Sequence, residues 1–144
     1  MAPPPDGLRL AHGLASAIGA RADNQDYVAC VIPEPAELAR YGALAVVAAG
    51  LGGRAGGRVA AEVATRAFVE GYYQLPATLD VARRASRALD SANRWIHDIG
   101  RRDPALDRMG CAFSALALRG RQAQIFHVGD TRVYRLRGAG LACL

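Results

Sequence analysis

Residues 43–64 read ALAVVAAGLGGRAGGRVAAEVA, and this stretch decides the architecture. A continuous apolar run over 43–48 breaks into five glycines between Gly50 and Gly57, after which apolar residues resume at helical spacing. The run has the pattern of a strand buried on both faces. Glycine lets the backbone turn tightly and approach a ligand, so a strand, glycine turn and helix in succession point to a phosphate or a metal. Such turns ordinarily carry a carboxylate or a lysine. This one offers Ala49, Leu51 and Arg54 instead.

Downstream of the turn, Val59, Val63, Ala67 and Tyr72, with Phe68 beside them, mark one face of a helix over 57–74, and Pro76 ends it. Thr78 is placed to cap a second helix over 78–101. There Leu79, Ala82, Leu89, Ile96 and Ile99 line one face, and Arg83, Arg87, Asp90 and Arg94 another. Upstream, 8–17 and 27–32 read as strands, and PEPAELARYG (33–42) as a loop with one helical turn. From residue 111 onward the chain reads as strands, with a hairpin turning at Arg119 and Gly120 and a further break at Gly129 and Asp130. These terminal strands are expected to form an antiparallel meander. Strands, two helices, then strands make an α+β layered domain rather than a repeating βαβ one. The chain stops at Leu144 inside an apolar segment, so the domain is expected to be incomplete at its C-terminus.

Composition narrows the function classes. A chain of 144 residues, 51% hydrophobic and 22% charged, fits one globular domain. Its net charge of +5 comes from 18 arginines and no lysine, scattered among few aromatics, which disfavours nucleic acid as a partner. Cys30, Cys111 and Cys143 are far apart with no CxxC; they read as free thiols of a reducing compartment rather than zinc ligands. MAPPPDG is not a secretory signal, and the longest apolar stretch, 41–51, is too short for membrane insertion, which needs about 20 residues. A cytoplasmic location follows from these features. No G-x-x-x-x-G-K-[ST] is present, so the glycine turn is not a P-loop. His127, within an apolar strand, reads as a hydrogen-bonded core histidine rather than a ligand or base.

Four separated stretches then carry a resemblance. RADNQD (21–26) resembles the R-x-x-N-x-D motif of the bacterial metal-dependent protein phosphatases of type 2C, the PPM family. VVAAGLGGRAGGRVAAE (46–62) is similar to that family's V-A-D-G-M-G-G-H-x-x-G-E-x-A-S. MGCAFSALAL (109–118) is similar to M-G-T-T-x-x-A-L-x-L, and HVGDTRVYRLRGAGL (127–141) to H-V-G-D-S-R-x-Y-x-x-R-x-G-x-L. Order and spacing agree throughout. The resemblance implies a layered β-sandwich flanked by helices, with residues 1–7 a flexible lead and 8–144 the N-terminal portion of the phosphatase-like domain.

The family uses two Mg²⁺ or Mn²⁺ ions to activate a water against phosphoserine or phosphothreonine of a phosphoprotein substrate. Carried over, Asp26 and the Gly50 carbonyl would be metal ligands, Asp130 would stand near a weaker metal position, and Arg21 would hold the substrate phosphate. The departures are as specific. Ala49 stands where the family has its metal-bridging aspartate, Arg54 where it has histidine, Arg58 where it has glutamate, and Cys111 and Ala112 where it has two threonines. The resemblance therefore implies a phosphatase domain impaired by Ala49 and truncation, binding one ion weakly. The alternative is a catalytically inactive pseudophosphatase serving as a regulatory or phosphopeptide-binding module. GGRVAAE and NRWIH also resemble the phosphatase half of bacterial proteins fused to a Ser/Thr kinase domain, an expected partner in a full-length protein.

Overall fold

The structure is a computed structural model and describes residues 9–51 and 55–144. The lead 1–7, Leu8 of the expected first strand, Gly52, Gly53 and Arg54 lie outside the described residues. The apolar run forms β2 (Ala43–Gly50), flanked antiparallel by β1 (Asp26–Val31) and β3 (Cys111–Arg119), and β4 (Gln122–Val128) follows to give the order β1-β2-β3-β4. Strand side chains alternate between faces, so Leu44, Val46 and Ala48 of β2 point one way with Phe113, Ala115 and Ala117 of β3. Two helices cover that face, α2 (Ala55–Gln74) and α3 (Val81–Arg102), and all of these side chains are buried beneath them. Phe68 of α2 meets Phe113 edge-on at 5.1 Å between centroids and anchors the helix layer to the sheet. No helix among the described residues is long and apolar enough to cross a membrane.

The β3–β4 connection is a tight turn as expected but falls at Gly120 and Arg121, since Arg119 is still paired with Gln122; Gly120 stands at φ +58°, where a tight hairpin favours glycine. Among the described residues the remaining strands, β5 (Tyr134–Arg137) and β6 (Gly140–Cys143), pair only with each other. The expected terminal meander is therefore corrected. Gly129, at φ +102°, turns the chain out of the first sheet, and the β5–β6 hairpin starts a second layer. Together with residues 13–15, residues 132–134 lie across the outer face of β1–β3, enclosing a cavity of about 370 Å³.

Further expectations need correction. Residues 9–17 are not a strand; their side chains are exposed apart from Leu10, and no backbone ladder reaches them among the described residues. Gly13 interrupts the segment, which rests on the face of the sheet rather than along an edge. The proposed loop at 33–42 holds a two-turn helix, α1 (Pro35–Tyr41), with proline at its first turn and Gly42 at φ +83° ending it. Thr78 does not cap α3. Asp80 does, its carboxylate accepting from the Arg83 N–H at 2.7 Å.

The buried helix faces are also rotated from those read off the large apolar residues. In α3 the buried line is Val81, Arg84, Ala85, Ala88 and Ala92, while Ala82 is exposed. In α2 it is Ala60, Ala61, Ala64, Thr65, Phe68 and Tyr72, with Val59 and Val63 only partly covered. Alanine stripes let two helices and a sheet approach closely, and the larger side chains are displaced to the flanks of the contact.

Candidate functional site

The site is assembled by strand register. Asp26 opens β1 and stands directly across from Ala49 of β2, and Ala49 stands directly across from Ala112 of β3. All three share the sheet face opposite the helices. Directly opposed residues hold their Cβ atoms about 4.5–5.5 Å apart. Residue 49 is thus the position from which a second carboxylate could share an ion with Asp26, and a methyl group occupies it.

Local bonds hold this end of the sheet. The Asn24 side-chain carbonyl accepts from the Asp26 N–H at 3.1 Å, a turn that presents Asp26 at the start of the strand. The Gly50 N–H donates to the Gln25 carbonyl at 3.1 Å, and the Leu51 N–H to the Gly110 carbonyl at 2.8 Å. A Cβ on Gly50 would run into the Gly57 carbonyl and come within 2.8 Å of the Gln25 carbonyl. The glycine is needed for the helix to pack this close. Arg58, at the family's glutamate position, donates from Nη1 to the Asn24 carbonyl at 3.1 Å. That contact braces α2 against the approach to β1, and nothing in the sequence signalled it.

Arg21, Asp23, Asp26, Ala49, Gly50 and Asp130 line one open cleft of about 520 Å³. The structure thus brings together every site residue named from the sequence: Arg21, Asp26, Gly50 and Asp130. Arg21 is exposed, and its guanidinium has no hydrogen bond or ion pair among the described residues. His127 is exposed rather than a core residue, though both its ring nitrogens are hydrogen-bonded. Cys111, across from Gly50, has its thiol pushed up to about 11 by burial and points its sulfur at the Ala60 carbonyl, 3.8 Å away. It is a protonated thiol at neutral pH and a poor ligand.

The donor set does not fit a two-ion centre. Hard dications need several oxygen ligands, and two of them at short range need bridging anions to offset their repulsion. Asp23, Asp26 and Asp130 line the cleft, yet among the described residues no three His, Cys, Asp or Glu side chains converge as a metal-holding group.

Similarity to known proteins agrees with the layered fold and the motifs. The chain is 30% identical over 122 residues to the protein phosphatase PhpP of Streptococcus pneumoniae, a match covering 82% of this chain and 46% of that protein. Among solved structures, the Mycobacterium tuberculosis serine/threonine phosphatase PstP/Ppp superposes with a TM-score of 0.70 at 28% identity, over 87% of this chain and 48% of that one. The catalytic domain of the serine threonine protein phosphatase PstP in complex with two manganese ions superposes with a TM-score of 0.69, also at 28% identity, over 94% and 52%. This chain spans about half the length of these relatives. The family model described as Protein phosphatase 2C matches residues 15–142, nearly the whole chain, and with the strand–glycine turn–helix geometry above it shows that the chain belongs to the protein phosphatase 2C family.

Proposed function

We propose that this chain is the part of a Ser/Thr phosphoprotein phosphatase domain that carries the metal turn, with its metal centre impaired at Ala49. The observation behind this reading is the register of Asp26 against Ala49 at the wall of the cleft that Arg21 and Asp130 also line. In this reading Asp26, the Gly50 carbonyl and Asp130 supply oxygen donors from the cleft wall, and they hold at most one Mg²⁺ or Mn²⁺ weakly. Arg21 receives the phosphate of a phosphoprotein through its planar fork. The chain works in the cytoplasm, and a Ser/Thr kinase domain in the full-length protein would supply phosphorylated partners.

A second reading is a pseudophosphatase that binds a phosphopeptide without cleaving it. The hydrogen bond from Arg58 to the Asn24 carbonyl favours it, because a cation now stands at the family's acidic position while Arg21 keeps its place in the cleft. Assays with p-nitrophenyl phosphate and a phosphothreonine peptide in Mn²⁺ test the first reading, with negligible hydrolysis expected. Titration of the same peptide against wild type and Arg21→Ala tests the second. Binding that Arg21→Ala abolishes supports it, and binding indifferent to Arg21 counts against it.

A further inference from the structure

Three side chains that the proposed function does not use form a hydrogen-bonded set beside the cleft. Ser114 and His127 are cross-strand partners on β3 and β4. The Ser114 hydroxyl lies 2.9 Å from Nδ1 of His127 and 2.7 Å from the Thr131 hydroxyl. The other ring nitrogen, Nε2, lies 2.8 Å from the Gly129 carbonyl oxygen. A carbonyl only accepts, so Nε2 carries a proton. In the neutral ring Nδ1 then accepts, from the Ser114 hydroxyl at 2.9 Å or from the Thr131 hydroxyl at 3.5 Å, and the two hydroxyls are bonded to each other.

Asp130 is the residue between the two ends of this set. On one side, Gly129 is held by His127 and pressed against β3, where an added Cβ would come within 2.6 Å of the Ala112 Cβ. Ala112 is the register partner of Ala49, and Ala49 of Asp26, so this contact ties the loop to the row that builds the cleft. On the other side, Thr131 is tied to Ser114, which is only 5% exposed and moves with the sheet.

We propose that His127, acting with Ser114 and Thr131, is a positioning residue. It fixes the backbone on both sides of Asp130 and so sets where that carboxylate stands in the cleft shared with Asp26. That Asp130 serves metal chemistry rests on the proposed function above; the positioning does not.

The test uses the full chain labelled with ¹⁵N, at pH 8, above the ordinary imidazole range. Long-range ¹H–¹⁵N spectra are expected to show His127 carrying a proton on Nε2. Amide relaxation is expected to give an order parameter near 0.85 at Asp130, as in rigid backbone, for wild type and for His127→Gln, whose amide can still donate to Gly129. In His127→Leu and Ser114→Ala it is expected to fall below about 0.6. A proton on Nδ1 in wild type, or an Asp130 that stays rigid in both broken variants, overturns the proposal. The tautomer is read in wild type, so a variant that fails to fold leaves that arm decisive. A Mn²⁺ titration run in parallel separates the two readings: no uptake counts against the metal reading alone, while the tautomer and order parameters still decide the positioning.

Discussion

Gly50 shows how a single residue carries both the packing and the proposed chemistry. Its missing side chain lets the Gly57 carbonyl and the Gln25 carbonyl close in on the turn, where Gly50 also lines the cleft. Gly50→Ala is expected to destabilise the fold by about 1–3 kcal/mol, because backbone atoms rather than a flexible side chain must move. Urea denaturation checks this through a lowered midpoint. Cys111 offers a second residue-scale test. Burial raises its thiol from an ordinary 9.0 to about 11. The stability gained by keeping it neutral is fully present below pH 9 and is lost as pH rises towards 11. At pH 8, iodoacetamide should label the exposed Cys143 well before Cys111, and mass spectrometry of the digested chain reads the order.

At the scale of elements, α3 is locked to α1 and α2 by one buried arginine. The Arg84 guanidinium lies 4.8 Å from the Tyr41 ring centroid and 5.0 Å from that of Tyr72, and its Nη2 donates to the Leu79 carbonyl at 2.8 Å. Its Nε and Nη1 have no hydrogen-bond partner among the described residues, so the two aromatic faces carry most of its compensation. Arg84→Ala empties the space between the rings and is expected to cost roughly 2–5 kcal/mol. Arg84→Met keeps much of the volume and removes a buried charge, so its cost should stay below about 1.5 kcal/mol. Thermal melts of the two variants separate packing from charge.

The sequence placed Arg84 on neither face of its helix, and the reason is physical. Large apolar residues dominate the helical periodicity of the sequence, whereas close helix packing buries alanines and leaves Leu89 and Ile96 at the margin. The strands β1 to β4 and the cleft residues were legible, because a period-two apolar run and a motif at fixed spacing are local signals. The pairing of β5 with β6, the placement of 13–15 against the sheet face and the Arg58 brace were not. Each depends on which distant segment offers a partner, and no local pattern records that.

Across the whole molecule, the helix side of the sheet is covered and the other side is covered sparingly. Leu136 and Leu141 on the β5–β6 hairpin are 70% and 67% exposed, and Val47 on the sheet beneath is 47% exposed. Contiguous apolar surface beyond a few hundred Å² favours association. The isolated 144-residue chain is therefore expected to self-associate, with sedimentation velocity showing species above 15.2 kDa at micromolar concentration. A monodisperse monomer with cooperative unfolding would contradict this. Turnover, too, is a property of the whole, since among the described residues the carboxylates lining the cleft, Asp23, Asp26 and Asp130, do not converge as a metal-holding group. The central claim is that Ala49 leaves the metal turn without its bridging charge, and calorimetric Mn²⁺ titration of wild type and Ala49→Asp, run beside a phosphatase assay, tests it most directly. Wild type should bind one ion weakly, Ala49→Asp should bind about tenfold tighter or better, and neither should turn over substrate in this chain. Robust manganese-dependent hydrolysis by the unmodified chain, or equal Mn²⁺ affinity in both proteins, would contradict the account.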